Sequence, residues 1–362
     1  MANFKRRKHV FLTVDEFNDK LEYAKKNTIL EICDDVDREP PCMFSFVSDG
    51  MVKTTLTMRD PQMVTYVTRK DGQKMPQVIT GLDAFIELSK DFKRETGYNI
   101  PRFPKEEIDK IGSATPLLGF KNTKNERVQA WSYDQNSSYA WAACQPMPDT
   151  RKCVGQWVEV QEGQVGFTLE AERRVPGWTI AGGLSLEIVK PGMIAEWVFD
   201  TMPSPFAKFM NRWYDRKKNA KNPDDKAKAK QMIVYAVGYL QKVNPFLRAA
   251  IVGYANDLIL SLLDKNSIYC NTDCIVSTVK RDDLAIGLEL GEFKVEDSGM
   301  FGRSGFNYQW DLDLPTYRGI PKSWFKDGWD IMKDPVPQDR NLYYLNTVKM
   351  KLEENDNGKI YG

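Results

Sequence analysis

Apolar residues recur along this chain at two periods, and the switches between them set the expected architecture. Helical spacing covers residues 14–26, with Phe17, Leu21 and Ala24 on one side, and residues 82–92, through Leu82, Phe85, Ile86 and Leu88. Between them, residues 43–47, 54–58 and 63–67 have the composition of short strands. Strand pattern returns at Val128 and ends at Asp134, where a helical start through residues 139–143 takes over. Residues 156–160, 165–169 and 194–199 read as further strand pieces. From Phe206 the period lengthens again. Residues 206–218 and 225–240 read as two helices joined by a turn over 219–223, and Asp224 and Asp225 stand where the helix dipole favours acids. The second helix carries Ala229, Met232, Ile233, Ala236 and Leu240 as its core stripe. Residues 246–263 form a third long helical pattern, and then Ile268-Tyr269 and Ile275-Val276 flank a small polar turn containing Asp273, the pattern of a buried hairpin. The fold class expected is α+β.

A carboxylate buried alone is expensive, so Asp273 needs a partner. Asp134, also at the end of an aromatic strand, is the candidate. Two such acids suit Mg²⁺, which takes a few protein oxygens together with water and phosphate. Taken singly, each reads equally well as a capping or turn aspartate.

The length of 362 residues allows two or three subdomains, and 42% apolar with 28% charged residues describes an ordinary soluble globular protein. A net charge of +1 means that any polyanion must be met by a local patch. One such patch lies between 212 and 230, where Arg212, Arg216, Lys217, Lys218, Lys221, Lys226, Lys228 and Lys230 face only Asp215, Asp224 and Asp225. Lys226 and Lys230, one turn apart, border the core stripe beside Val234 and Val237, and lysines so placed can converge on a triphosphate. The plainer alternative is a solvated lysine-rich hairpin. Residues 5–8 read as a solvated basic tail. Six cysteines without a CxxC pair and a single histidine, His9, exclude the usual zinc sets. Free thiols near a candidate site fit a reducing, cytoplasmic compartment. No run of 18 apolar residues and no signal-peptide pattern points to a membrane.

Tyr133-Asp-Gln-Asn-Ser-Ser-Tyr139 resembles the Asp-x-x-Ser-Leu-Tyr motif of family B DNA polymerases, and Tyr269-Cys-Asn-Thr-Asp-Cys274 resembles their Tyr-x-Asp-Thr-Asp-Ser motif. The likeness is greatest to the small protein-primed phage enzymes. It implies a right-hand polymerase: an antiparallel-sheet palm over 126–200 and 246–300, two-helix fingers over 201–245, and a thumb-like region over 301–362. An accessory α+β module would occupy 1–125. The implied reaction is nucleotidyl transfer from dNTPs to the primer 3′-hydroxyl on primer-template DNA, with other replication proteins as possible partners. Asp134, Asp273 and the carbonyl of Gln135 would hold two Mg²⁺ or Mn²⁺ ions. Lys218, Lys226 and Lys230 match the spacing of the family's triphosphate ligands, Gly238 matches the glycine closing that motif, and Tyr139 matches the tyrosine beneath the sugar. Tyr308, Arg318 and Lys322 are the candidates for duplex contact.

Departures accompany the match. The family's Asn, Ser and Tyr on the second helix stand here as Val234, Tyr235 and Val237, giving an apolar nucleotide-facing edge, and Asn271 replaces the first hairpin aspartate. The acid-rich segment 33–39 contains no Asp-x-Glu, so no proofreading exonuclease is expected, and the interval of 43 residues between Lys230 and Asp273 leaves no room for the processivity insertion. Two other readings remain open: a catalytically impaired polymerase-like subunit that binds nucleic acid or assembles a replication complex, and a primase-like enzyme.

Overall fold

The computed structural model describes residues 79–334, except 80, 125, 171–174, 182, 312 and 317–327, together with the backbone of eight short strands outside that range. The chain divides into two compact units, Met1–Val78 with Pro335–Gly362, and Ile79–Asp334. In the first, Lys8–Leu12 pairs in parallel with Thr28–Ile32. Three antiparallel hairpins accompany it: Ser45–Ser48 with Val52–Thr55, Thr65–Thr68 with Lys74–Gln77, and Tyr343–Asn346 with Lys351–Glu354. The helix expected over 14–26 and the acidic segment 33–39 lie outside the described residues.

The second unit begins at Ile79, well ahead of the boundary expected at residue 125. Its helices are α1 (Gly81–Thr96), α2 (Lys105–Ile111), α3 (Ser138–Ala143), α4 (Ala207–Lys218), α5 (Pro223–Leu240) and α6 (Pro245–Leu262). The strands of its two main sheets are β1 (Leu118–Lys121), β2 (Val128–Gln135), β3 (Met147–Pro148), β4 (Gln164–Glu170), β5 (Trp178–Ile180), β6 (Ser185–Val189), β7 (Trp197–Met202), β8 (Ser267–Asn271), β9 (Cys274–Ser277), β10 (Phe293–Ser304) and β11 (Asn307–Trp310). Seven of them form an antiparallel sheet in the order β5-β1-β8-β9-β2-β10-β11, and four form a second in the order β6-β4-β7-β3. The first unit ends before α1 because α1 belongs with α4 and α5: Arg212 of α4 lies 2.7 Å from Glu87 and 2.8 Å from the buried Asp91, and Lys208 lies 3.2 Å from Glu95. Two cations of the helical pair are thus engaged within the fold, Arg212 and Lys208 holding acids of α1.

Both long helices start as their sequences dictate. Asn222 accepts a hydrogen bond from the Asp225 N–H at 2.8 Å and Asn244 one from the Leu247 N–H at 3.1 Å, and each cap is followed by proline at the first helical position. Along β2 the alternation of a strand divides the central sheet into two faces. Tyr133 joins Cys270, Ile275 and Phe293 against Ile259 of α6, whereas Ala130 lies with Tyr269, Val276, Phe301 and Trp310. On α5 the core stripe Ala229, Met232, Ile233, Ala236 and Leu240 is buried, and so is Val237 at 1% exposure. The expected apolar ligand-facing edge is therefore only Val234, because α5 is covered on more than one side.

The C-terminal end of this unit is fastened by Arg127. Its guanidinium donates to Asp330 at 2.8 Å, to the Gln309 side-chain oxygen at 2.6 Å and to the Asp311 carbonyl. The hydrogen bond from Arg127, helped by the Met332 N–H and Lys333, holds the Asp330 carboxyl down at about 2. A folded-state value below the ordinary carboxylate range adds stability that is complete above pH ~4 and vanishes as pH falls toward about 2. Asp330→Asn should flatten the acid-unfolding curve in that window and cost about 1 kcal/mol at neutral pH, a small figure because asparagine can still accept the Arg127 hydrogen bond and loses only the charge. Chemical denaturation of both proteins at pH 7 and at pH 3 measures it, and equal loss at the two values would refute it.

Candidate active site

The site grows from the β8–β9 hairpin and its neighbour β2. Thr272 takes a left-handed conformation, φ 57°, which reverses the chain in two residues, and its N–H donates to the Leu117 carbonyl at 2.6 Å. Asp273 comes directly after it. The Asp273 carbonyl accepts the Gln135 N–H at 2.8 Å, and Cys274 stands opposite Asp134 in the strand register. The two aspartates thus come from adjacent ends of paired strands.

Their electrostatics record the proximity. Burial, and then the charge of Asp134, push the Asp273 carboxyl up to about 7 against the pull of Lys230. Asp134 is also raised, chiefly by burial, although a hydrogen bond from Lys294 opposes this. Lys294 is the cross-strand partner of Asp134 on β10, and its ammonium lies 2.9 Å from Asp134 and 3.3 Å from Glu296. Among the described residues no group of three or more His, Cys, Asp or Glu side chains is arranged to hold a metal ion. The two acids, Asp134 and Asp273, are the carboxylates brought together here.

Of the lysines expected here, Lys230 and Lys226 lie on α5, and Lys230 acts on Asp273. Lys218 is directed elsewhere, onto Glu289. Its neighbour Lys217 takes the inward position: its ammonium donates to Ser137 at 2.6 Å. Burial holds that ammonium below its ordinary value, and so does repulsion from Lys230 and Lys294, while Asp134 attracts it. Tyr139 is largely buried, its phenol raised by burial with Arg248 and Asp273 both acting on it. Gln135 is buried and its side-chain amide donates to the Gly291 carbonyl at 3.2 Å. Tyr308 lies in the aromatic group with Tyr269 and Phe301, ring centroids 5.4 and 5.9 Å away. Arg318 and Lys322 lie outside the described residues.

Lys294, Glu296 and Arg248 carry no sequence signal that ties them to this site, and Lys217 is only one cation among eight in its patch. Lys217 does have a positional signal: it lies four residues beyond Trp213 and three beyond Tyr214, both buried, which sets it on the inner side of α4. The loop 285–292 links these parts. Asn136 donates to the carbonyl of Gly287 at 2.8 Å, and Tyr214 of α4 donates to that of Leu288 at 2.5 Å. Gly291, at φ 88°, packs so closely under Trp141 that a Cβ there would sit 2.2 Å from the ring.

This chain has a polymerase-like fold of mixed helices and antiparallel sheets. Among solved structures it is similar to Phi29 DNA polymerase complexed with primer-template DNA and incoming nucleotide substrates, with a TM-score of 0.51 and 12% identity over 83% of this chain and 78% of that one. Phi29 DNA polymerase with primer-template DNA in a post-translocation binary complex gives a TM-score of 0.51 and 11% identity at the same coverage. No protein-family model matches the sequence, and no curated protein matches it. Among the described residues no helix is long and apolar enough to cross a membrane.

Proposed function

We propose that the chain is a metal-dependent DNA polymerase that joins dNTPs to the 3′-hydroxyl of a primer. The observation that carries this reading is the meeting of Asp134 and Asp273 at adjoining ends of paired strands, Cys274 opposite Asp134 and the Gln135 N–H on the Asp273 carbonyl at 2.8 Å, beside the lysine-bearing helix α5. In this reading the seven-stranded sheet is the palm, α4 and α5 are the fingers, and β10 and β11 lead into a thumb. Two mutually repelling, partly desolvated carboxylates suit divalent cations, which relieve the repulsion and bring water and phosphate as remaining ligands. Asp134 and Asp273, with the Gln135 carbonyl, would hold two Mg²⁺ or Mn²⁺ ions, which when bound would supply Lewis-acid activation of a hydroxyl and charge neutralisation on phosphate.

The chain's own groups do the rest. Lys217, Lys226 and Lys230 position the triphosphate and offset its charge. Tyr139, largely buried and within the field of Asp273 and Arg248, forms the floor for the sugar. Lys217→Ala is expected to raise the KM for dNTPs roughly tenfold, the loss of one charge-assisted hydrogen bond, while Lys218→Ala changes it less than about twofold. Steady-state extension kinetics on the two variants decide between the adjacent lysines.

A second reading, a polymerase-like subunit without catalysis, is favoured by one observation: the Asp134 carboxylate is already engaged by Lys294 at 2.9 Å. Purified protein with a labelled primer-template, dNTPs and Mg²⁺ or Mn²⁺ separates the two. Extension that stops with chelator supports the polymerase; binding of the template without extension under any metal supports the subunit.

A further inference from the structure

We propose that Lys294 is a built-in competitor for the divalent cation at Asp134, its ammonium occupying the carboxylate until an incoming ion displaces it toward Glu296. This rests on the polymerase reading and adds to it a control on metal loading. The strand register places Lys294 directly across β2 from Asp134, with Cys274 across the other side, so the three side chains form one row on one sheet face. Within that row the Lys294 ammonium lies 2.9 Å from Asp134 Oδ2. An ammonium has donors only, and a hard divalent cation seeks the same carboxylate oxygens, so the two compete for one set of lone pairs.

The second contact supplies the alternative position. Glu296 Oε1 lies 3.3 Å from the same ammonium, and the Glu296 side chain is 47% exposed. Lys294 is itself 41% exposed and Asp134 20%. The ammonium end of the pair is open to solvent, so it can leave Asp134 for Glu296 without a buried charge being stranded on the lysine. What the ammonium does to the acids is occupy one oxygen of Asp134, Oδ2.

The test is Mn²⁺ binding to the full chain, without DNA or nucleotide, by titration calorimetry and by electron paramagnetic resonance of the free ion. Lys294→Met should tighten binding roughly tenfold, as removing a charge beside a divalent site requires. Lys294→Gln, with melting temperatures recorded for both variants, guards against a misfolded methionine variant and should move the affinity in the same direction. Asp134→Asn should weaken binding and erase the difference between lysine and methionine at 294. Equal or weaker binding in both Lys294 variants, with Asp134→Asn still harmful, overturns the competition and leaves the polymerase reading intact. Folded proteins of all three kinds that bind no Mn²⁺ overturn both.

Discussion

Asp273→Asn should slow primer extension by roughly a thousandfold or more while leaving the protein folded. The figure comes from the several kcal/mol that bound cations contribute to charge stabilisation in such a transition state, with each factor of ten worth about 1.4 kcal/mol. Asparagine keeps the shape of the hairpin turn and removes only the charge. Its effect on stability has the opposite sign. Burial and Asp134 push the Asp273 carboxyl up to about 7, so in metal-free protein the charged form is held against its preference. A raised acid costs nothing below the unfolded value near 4; the penalty grows as pH climbs from there to about 7 and is constant beyond. In the presence of chelator the variant should therefore melt above the parent at pH 8 and level with it near pH 4. Because the two acids titrate as a pair, Asp134→Asn should show the same signs. A single set of extension assays and pH-dependent melts covers both; a variant that extends primers at the parental rate removes Asp273 from the chemistry.

Phe246→Ala should destabilise the second unit by about 4 kcal/mol, the range for a large aromatic deleted from a core that cannot close over the gap. Phe246 is 1% exposed at the first turn of α6. Its ring centroid lies 4.8 Å from Phe199, 5.3 Å from Phe167, 5.4 Å from Phe103 and 5.5 Å from Trp197. Those partners come from β7, β4 and the segment ahead of α2, so a single ring joins the four-stranded sheet to the long buried helix α6. Phe246→Leu, which keeps most of the volume, should cost less than half as much. Urea midpoints of the three proteins check the ranking, and an alanine variant within about 1 kcal/mol of the parent would show that the cluster relaxes freely.

The helices are legible in the sequence because their signals are local. Asn-Pro starts at 222 and 244, the stripe along α5 and the apolar length of α6 each need only neighbours in sequence to be read. The β8–β9 hairpin is legible for the same reason, and with it Asp273, while Asp134 is legible as the acid near the end of the aromatic strand β2. The strand β10 is not. Its run Glu296-Asp297-Ser298-Gly299 carries none of the residues that strands favour, and its register shifts between Val295 and Asp297 where it pairs with β2. That strand brings Lys294 and Glu296 to Asp134, so the cation at the acid pair is invisible without it. Counting back from Lys230 selects Lys218, whereas the buried side of α4 selects Lys217. Val237 is misplaced for a related reason, since a stripe counted on an isolated helix underestimates how much of α5 its several neighbours cover.

One face of the central sheet is closed by α6, and the other carries both the apolar cluster around Tyr269 and Phe301 and the row of Cys274, Asp134 and Lys294. With Tyr133, Ile275 and Phe293 sealed against Ile259 of α6, the Asp134 row is not approached through that face. The molecule therefore has a front and a back at this sheet, and enlarging a side chain at Ile259 would disturb stability without obstructing the route to the acids.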